Sequence, residues 1–279
     1  MNIKEIKIKK IISKFYYKIL PIFFKKLFCN ITNNFRHKEL LALHKRPWYA
    51  YGLLKAADLA KEKGYKRFTA IEFGVASGRG LKVLSDYKSQ IEKIIDIKID
   101  LVGFDTGKGM PKTNDYRDFP DKYTEGDFPM IDKDKIKSLN SKLILGDLKK
   151  TIPEFKKKLS EKSPIGFFAM DVDIYSSTKY ALNLFKENAN FYLPLIFCYF
   201  DESGGRHHFT KFAGELLAID EFNNLNSNKF RKIDKDRGVW NEHKLIPNQI
   251  WYDRCFILHI FDHKFRKHVA DRKNLIIKF

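Results

Sequence analysis

FTAIEFGVASGRG, residues Phe68 to Gly80, joins a short apolar run to a glycine-rich loop. The run Phe68–Phe73 is typical of a buried strand, and the glycines after it let the backbone turn sharply and approach a ligand closely. A helix that opens at such a loop points its first N–H groups toward the ligand. The stretch therefore predicts a strand, a ligand-binding loop and a helix in succession.

The same alternation of strand and helix continues along the chain. Apolar runs suited to buried strands follow at Leu101–Asp105, Lys142–Gly146, Ile165–Asp171 and Leu195–Asp201. Helical patterns occur at Pro47–Gly64, Thr178–Lys186 and Ala213–Phe222, and a β-like run at Ile250–Phe261 predicts antiparallel strands at the sheet edge. Strands alternating with helices predict an α/β fold with a doubly wound, mostly parallel, Rossmann-like sheet.

Length and composition favour one domain with appendages. We predict a basic amphipathic N-terminal segment at residues 1–46 and a catalytic domain at residues 47–279. Within the domain, residues 107–134 are rich in Gly, Pro, Asp and aromatic side chains and are too long for an ordinary connection. We therefore expect this segment to be a lid or substrate loop.

The net charge of +19 is unevenly distributed, because residues 1–28 carry eight Lys and one Glu between apolar side chains. This segment is too interrupted to span a bilayer, and its pattern fits a helix lying on an anionic membrane surface. The alternatives are a helix packed on the domain and a contact in a homo-oligomer. Cys29, Cys198 and Cys255 show no metal or disulfide spacing, so we expect a cytoplasmic protein, peripheral on the inner face of the membrane if the leader binds it.

Glycine-rich loops of this kind bind dinucleotides and S-adenosylmethionine alike. Glu72 distinguishes the two kinds of loop, because a carboxylate two residues before Gly74 can approach the cationic methionine end of S-adenosylmethionine. The alternative is a glycine-rich turn with no ligand. The predicted cofactor contacts of this loop are Glu72, Gly74, Ala76, Ser77, Gly78 and Gly80.

Acidic residues at the ends of the next strands complete the predicted cofactor pocket. Asp105, followed by Thr106, can accept hydrogen bonds from a ribose diol, and Asp147 can contact an adenine amino group. Asp171, at the end of the fourth strand beside the cofactor crevice, is also counted among the predicted cofactor contacts. Taken singly, Asp105 and Asp147 could instead cap helices.

Four carboxylates fall at the ends of two strands that neighbour each other in a doubly wound sheet: Asp171, Asp173, Asp201 and Glu202. Clustered acids repel one another unless a cation neutralises them, and oxygen ligands suit Mg²⁺ or, less often, Mn²⁺. The alternative is a set of capping and solvated acids. His207 and His208, just beyond, fit either an auxiliary base or ligand or, more simply, exposed loop residues; His259 and His263 are assigned no metal.

Four motifs together resemble the macrocin O-methyltransferase family of metal-dependent sugar O-methyltransferases, which have the class I methyltransferase fold. They are EFGVASGRG, GFDTGKGMP, the D-x-D-x-Y-x-S-T pattern at Asp171–Thr178 and the pair Asp201–Glu202, and they cover roughly residues 70–205. The chain departs from the family pattern at Glu202, where many relatives have Asp, and at Ala76, where Gly is commonest.

The resemblance implies S-adenosylmethionine as cofactor, Mg²⁺ held by Asp171, Asp201 and Glu202, and Asp173 as general base. A sugar hydroxyl held by the metal would lose its proton to Asp173 and attack the sulfonium methyl group.

Two alternative hypotheses assign the protein to other functional classes than the sugar O-methyltransferases. The basic charge would suit a methyltransferase acting on RNA, yet no RNA-binding module is visible and DVDIY stands where base-methylating enzymes carry their usual tetrapeptides, so nucleic acid is not the expected partner. A non-catalytic, membrane-associated protein would not need the intact acidic residues.

Overall fold

The computed structural model describes residues 33–113, 115–246 and 248–267, together with residues 24, 27 and 31. Most of residues 1–28, on which the membrane prediction rests, lie outside these ranges, as do Cys29 and the tail from residue 268. Among the described residues, no helix combines the length and the apolar character needed to cross a membrane.

Seven strands in the described ranges form one sheet with the order β3-β2-β1-β4-β5-β7-β6. Their bounds are β1 Arg67–Phe73, β2 Lys98–Asp105, β3 Lys142–Leu145, β4 Ile165–Met170, β5 Tyr192–Phe200, β6 Arg231–Lys235 and β7 Cys255–Ile260. The first five are parallel, whereas β7 runs antiparallel between β5 and β6. This arrangement confirms the predicted doubly wound sheet with an antiparallel edge.

Helices cover both faces of the sheet. Between residues 33 and 267, the described α-helices are α1 Phe35–Leu40, α2 Pro47–Glu62, α3 Arg79–Ile94, α4 Lys133–Lys137, α5 Leu148–Lys156, α6 Tyr175–Leu182, α7 Gly214–Asn224, α8 Gly238–Glu242 and α9 Lys264–Lys267. Short 3₁₀ helices occur at Tyr116–Asp118, Asn183–Lys186, Ala189–Phe191, Asp201–Ser203, Asn226–Asn228 and Ile250–Arg254.

Alternating strand side chains divide the core into two layers. On one face, Ala70 of β1 packs in a cluster with residues of α2 and α3, such as Leu53 and Leu84. On the other face, Ile71 of the same strand packs in a cluster with residues of α5, α6 and α7, such as Ile152. Because both faces are buried, the central strands are nearly continuous apolar runs, as expected for parallel strands.

The prediction of strands at Ile250–Phe261 is wrong in its first half, because Ile250–Arg254 forms a 3₁₀ helix and only Cys255–Ile260 is a strand. The outermost strand is β6, which the sequence did not reveal. Its residues RKIDK contain a single apolar side chain, so an edge strand of this composition gives no apolar run.

Candidate active site

A cavity of about 760 Å³ opens at the carboxyl ends of the parallel strands. Predicted cofactor and catalytic residues line it: Glu72, Gly74, Ala76, Ser77, Gly80, Asp105, Thr106, Asp147, Asp171 and Asp173. The structure therefore gathers nearly all of them around one space. Gly78, Asp201 and Glu202 are not among the lining residues.

The glycine loop is held by close backbone approach between β1 and β4. Gly74 has a φ of +86°, and a Cβ atom there would lie 1.8 Å from the carbonyl oxygen of Asp171. Gly78, with a φ of +76°, is the residue from which α3 begins, and it packs on Ile136 instead of facing the cavity. Position 74 therefore requires glycine for two reasons: its backbone is in the left-handed region, and there is no room for a Cβ atom.

Glu72 is almost completely buried in the cavity wall. Its Oε1 accepts a hydrogen bond of 2.8 Å from the Tyr49 hydroxyl, whereas its buried Oε2 has no hydrogen-bond partner. Burial raises the pKa of Glu72 to about 7. A Cβ atom on Gly80 would lie 1.8 Å from Oε1, so the third glycine of the loop leaves room for this carboxylate. An unpaired buried oxygen of this kind suits a cationic ligand group.

Asp105 supports the glycine loop directly. Its Oδ2 accepts hydrogen bonds from the backbone N–H groups of Val75 (2.9 Å) and Ala76 (2.8 Å), and its Oδ1 accepts one from Gly107 (2.6 Å). The ribose contact predicted for Asp105 stays a prediction. What the structure shows is a carboxylate that fixes the loop's backbone.

Two further predicted cofactor contacts, Asp147 and Thr106, also have structural roles. Asp147 caps α5 by accepting a hydrogen bond from the N–H of Lys149, while it still lines the cavity. The Thr106 hydroxyl donates to the carbonyl oxygen of Gly109 and so fixes the turn that begins residues 107–134.

Residues 107–134, which we call the lid, fold over the cavity. Met110 exchanges backbone hydrogen bonds with Gly126 and Asp127, which closes this segment into a loop. Residues from both of these stretches line the cavity. Further along the lid, Asp118 accepts a hydrogen bond of 2.8 Å from the N–H of Ser176 at the start of α6. The predicted lid therefore contacts both the cofactor side and the α6 side of the site.

Five carboxyl groups meet beside the cavity: Asp171, Asp173, Asp201, Glu202 and Glu215, which we call the acid cluster. Burial raises the pKa of Asp171, and the charges of Asp201 and Asp173 raise it further. Burial, followed by the charges of Glu202 and Asp201, raises the pKa of Asp173 to about 7. Asp173 also has a φ of +61°, an unfavourable conformation for a residue other than glycine and one that is concentrated at functional sites.

Cationic side chains pair with three members of the acid cluster. Lys122 Nζ lies 3.0 Å from Glu202 Oε2, Arg254 Nη1 lies 3.0 Å from Asp201 Oδ1, and Arg46 Nη1 lies 3.8 Å from Asp171 Oδ2. None of these three cationic partners was predicted from the sequence, because each lies far along the chain from the acid with which it pairs. In the described part of the chain, no three Asp, Glu, His or Cys side chains are placed to share one metal ion. The metal-ligand assignment of Asp171, Asp201 and Glu202 thus stays a prediction.

Glu215 is the member of the acid cluster that the sequence analysis missed. It lies in the first turn of α7 and is fully buried, and its Oε2 accepts a hydrogen bond of 2.8 Å from the N–H of Glu202. Its Oε1 is buried without a partner, and burial raises its pKa. An acidic residue inside the apolar run AGELLAI was the available signal. His207 and His208, by contrast, are exposed.

Comparison with protein-family models gave no match, and no curated protein was found to be related. Among solved structures, the chain is similar to that of CalS11, a calicheamicin methyltransferase, with 19% identity over 94% of this chain and 95% of that chain and a TM-score of 0.52. An apo structure of CalS11, TDP-rhamnose 3'-O-methyltransferase, shows 17% identity over 94% and 97% with a TM-score of 0.44. The O-methyltransferase NovP shows 12% identity over 74% and 77% with a TM-score of 0.45. The similarity to the first structure, together with the strand order, shows that this chain has the class I methyltransferase fold.

Proposed function

We propose that this protein is an S-adenosylmethionine-dependent O-methyltransferase that acts on a sugar hydroxyl. The observation that carries the proposal is the buried Glu72 carboxylate, whose unpaired Oε2 lies in the wall of the glycine-lined cavity. A dinucleotide offers no ammonium group to such a carboxylate, whereas the methionine end of S-adenosylmethionine carries one that can donate hydrogen bonds to it. The sugar acceptor rests on the D-x-D-x-Y-x-S-T pattern at Asp171–Thr178.

The chain's own residues would bind the cofactor and move a proton. Glu72 would accept hydrogen bonds from the amino group of the cofactor, which favours the ionised carboxylate. When bound, S-adenosylmethionine supplies a methyl group activated by its sulfonium. Asp173, which lines the same cavity, would take the proton from the acceptor hydroxyl, and a pKa of about 7 suits a general base at neutral pH.

The acid cluster fits a divalent cation by its donor chemistry. Five carboxyl groups stand against the three cationic partners Arg46, Lys122 and Arg254 in the described ranges, so ionisation of all five leaves an excess of two negative charges. We propose that Asp171, Asp201 and Glu202 hold Mg²⁺ or Mn²⁺, which would lower the pKa of the acceptor hydroxyl as a Lewis acid. The orphaned Oε1 of Glu215 adds a further oxygen to the donor set.

Titration calorimetry with S-adenosylhomocysteine tests the cofactor proposal. We expect one site in the wild type and an affinity about 10- to 100-fold weaker in Glu72→Gln, because a hydrogen bond to a charged group contributes about 1.5–3 kcal/mol. Gln keeps the shape and can still accept from Tyr49. Glu125→Gln is the matched control, since Glu125 is an exposed lid carboxylate on the same cavity and its loss should change the affinity little. Binding of NAD instead of S-adenosylhomocysteine would refute the methyltransferase proposal.

We also propose that residues 1–28 dock on an anionic membrane surface. The support is their sequence, in which eight lysines and one glutamate are interleaved with apolar residues. The full chain should co-sediment with acidic vesicles, added salt should release it, and a chain lacking residues 1–28 should stay in solution. Equal sedimentation of the shortened chain would assign the contact to another part of the protein.

A further inference from the structure

Lys122 brings a lid cation into the acid cluster. Its Nζ donates to Glu202 Oε2 at 3.0 Å and to the Tyr123 hydroxyl at 2.7 Å, and it lies 4.9 Å from the centre of the Phe209 ring. The Glu202 side chain is only 8% exposed and that of Lys122 is 25% exposed. The Lys122 ammonium group therefore contacts three protein groups beside the acid cluster, while part of the side chain stays exposed.

The residues around Lys122 attach the lid to the same place. Burial, followed by the nearby charges of Asp173 and Glu202, raises the pKa of Tyr123, and the Tyr123 ring is buried. The ring of Phe119 packs so closely on the first residue of α7 that a Cβ atom on Gly214 would lie 2.5 Å from it. Residues 118–123 thus lie directly on the acid cluster, and Lys122 supplies their ion pair with it.

The oxygen that accepts from Lys122 belongs to a residue of the proposed metal site. A divalent cation needs the lone pairs of the Glu202 carboxylate, and an ammonium group and a doubly charged ion beside one carboxylate repel each other. We propose that Lys122 and a divalent cation compete for Glu202, so that attachment of the lid and binding of the metal oppose each other; this inference rests on the proposed function.

Competition between Lys122 and the metal can be measured in two ways, because each should weaken the binding of the other to Glu202. If the Lys122 contact must break before the metal binds, removal of the ammonium group raises metal affinity, and added metal loosens residues 118–123. Lys122→Met keeps the length of the side chain and removes its charge, whereas Lys122→Arg keeps a cation. Lys108→Met is the matched control, because Lys108 is an exposed lid lysine on the cofactor cavity.

The experiment is calorimetric titration of the full-length protein with MgCl₂ in the absence of cofactor. We expect Lys122→Met to bind Mg²⁺ about tenfold more tightly than the wild type, and Lys122→Arg and Lys108→Met to bind it as the wild type does. Hydrogen exchange gives a second measurement: Mg²⁺ should accelerate exchange of residues 118–123 in the wild type and change it little in Lys122→Met.

Two results would overturn the competition. One is equal or weaker Mg²⁺ binding by Lys122→Met together with unchanged exchange in the wild type. The other is no Mg²⁺ binding by any variant, which would remove the metal as well. In either case the methyltransferase proposal is decided separately, by binding of S-adenosylhomocysteine to the same protein samples.

Discussion

We expect Asp173→Asn to lower turnover by about 10²–10⁴-fold, the usual contribution of a general base, while the affinity for S-adenosylhomocysteine should stay close to that of the wild type. Asparagine tolerates the left-handed backbone conformation, so the φ of +61° at this position should be preserved. The measurement is methyl transfer from labelled S-adenosylmethionine to a sugar acceptor, beside calorimetry with S-adenosylhomocysteine.

Asp127→Asn is the control for this experiment. Asp127 is a lid aspartate on the same cavity, and its Oδ2 accepts a hydrogen bond from the N–H of Thr124 that asparagine can retain. Its turnover should be close to that of the wild type. Unchanged turnover in Asp173→Asn would assign the base to another residue.

Gly74→Ala should lower the free energy of unfolding by about 2–5 kcal/mol, because the cost of a left-handed alanine and the cost of an overpacked contact add. The new methyl group would collide with the carbonyl oxygen of Asp171, so binding of S-adenosylhomocysteine should also weaken. Denaturant unfolding and calorimetry are the two measurements.

Gly64→Ala separates the two causes. Gly64 has a similar φ of +80° after α2, but a Cβ atom there would have nothing within 4 Å. We expect only the conformational cost of about 1–2 kcal/mol and unchanged cofactor binding. Equal losses in the two variants would show that close approach to Asp171 is not what requires Gly74.

The central strands could be predicted because both of their faces are buried. Phe68–Phe73 matches β1 to within one residue, whereas the predicted Leu101–Asp105 omits the start of β2, where Lys98 and Asp100 are polar. The edge strand β6 was missed for the same physical reason. Apolar runs reveal buried strands, whereas one of the two buried side chains of β6 is that of Arg231, so the burial of this strand leaves no apolar run.

The candidate site was predicted in part. Strand ends place Glu72 and Asp173 on one cavity, as the sequence indicated. The sequence could not show that the Asp105 carboxylate binds the backbone of the glycine loop, because both a ligand and a loop N–H group lie within reach of a strand end. Glu215 and Lys122 reach the acid cluster because α7 and the lid pack against it. Tertiary packing of this kind leaves no spacing pattern in the sequence, so neither residue could be predicted to lie there.

The most direct test of the central claim is acceptor-dependent formation of S-adenosylhomocysteine from S-adenosylmethionine. Purified protein is incubated with a panel of sugars, nucleotide sugars and glycosylated metabolites, with RNA in a parallel reaction and with EDTA added to a duplicate of each. We expect S-adenosylhomocysteine to appear only with a sugar-containing acceptor, and EDTA to suppress its formation until Mg²⁺ is restored. Product formed with RNA and with no sugar acceptor would refute the proposed sugar O-methyltransferase activity.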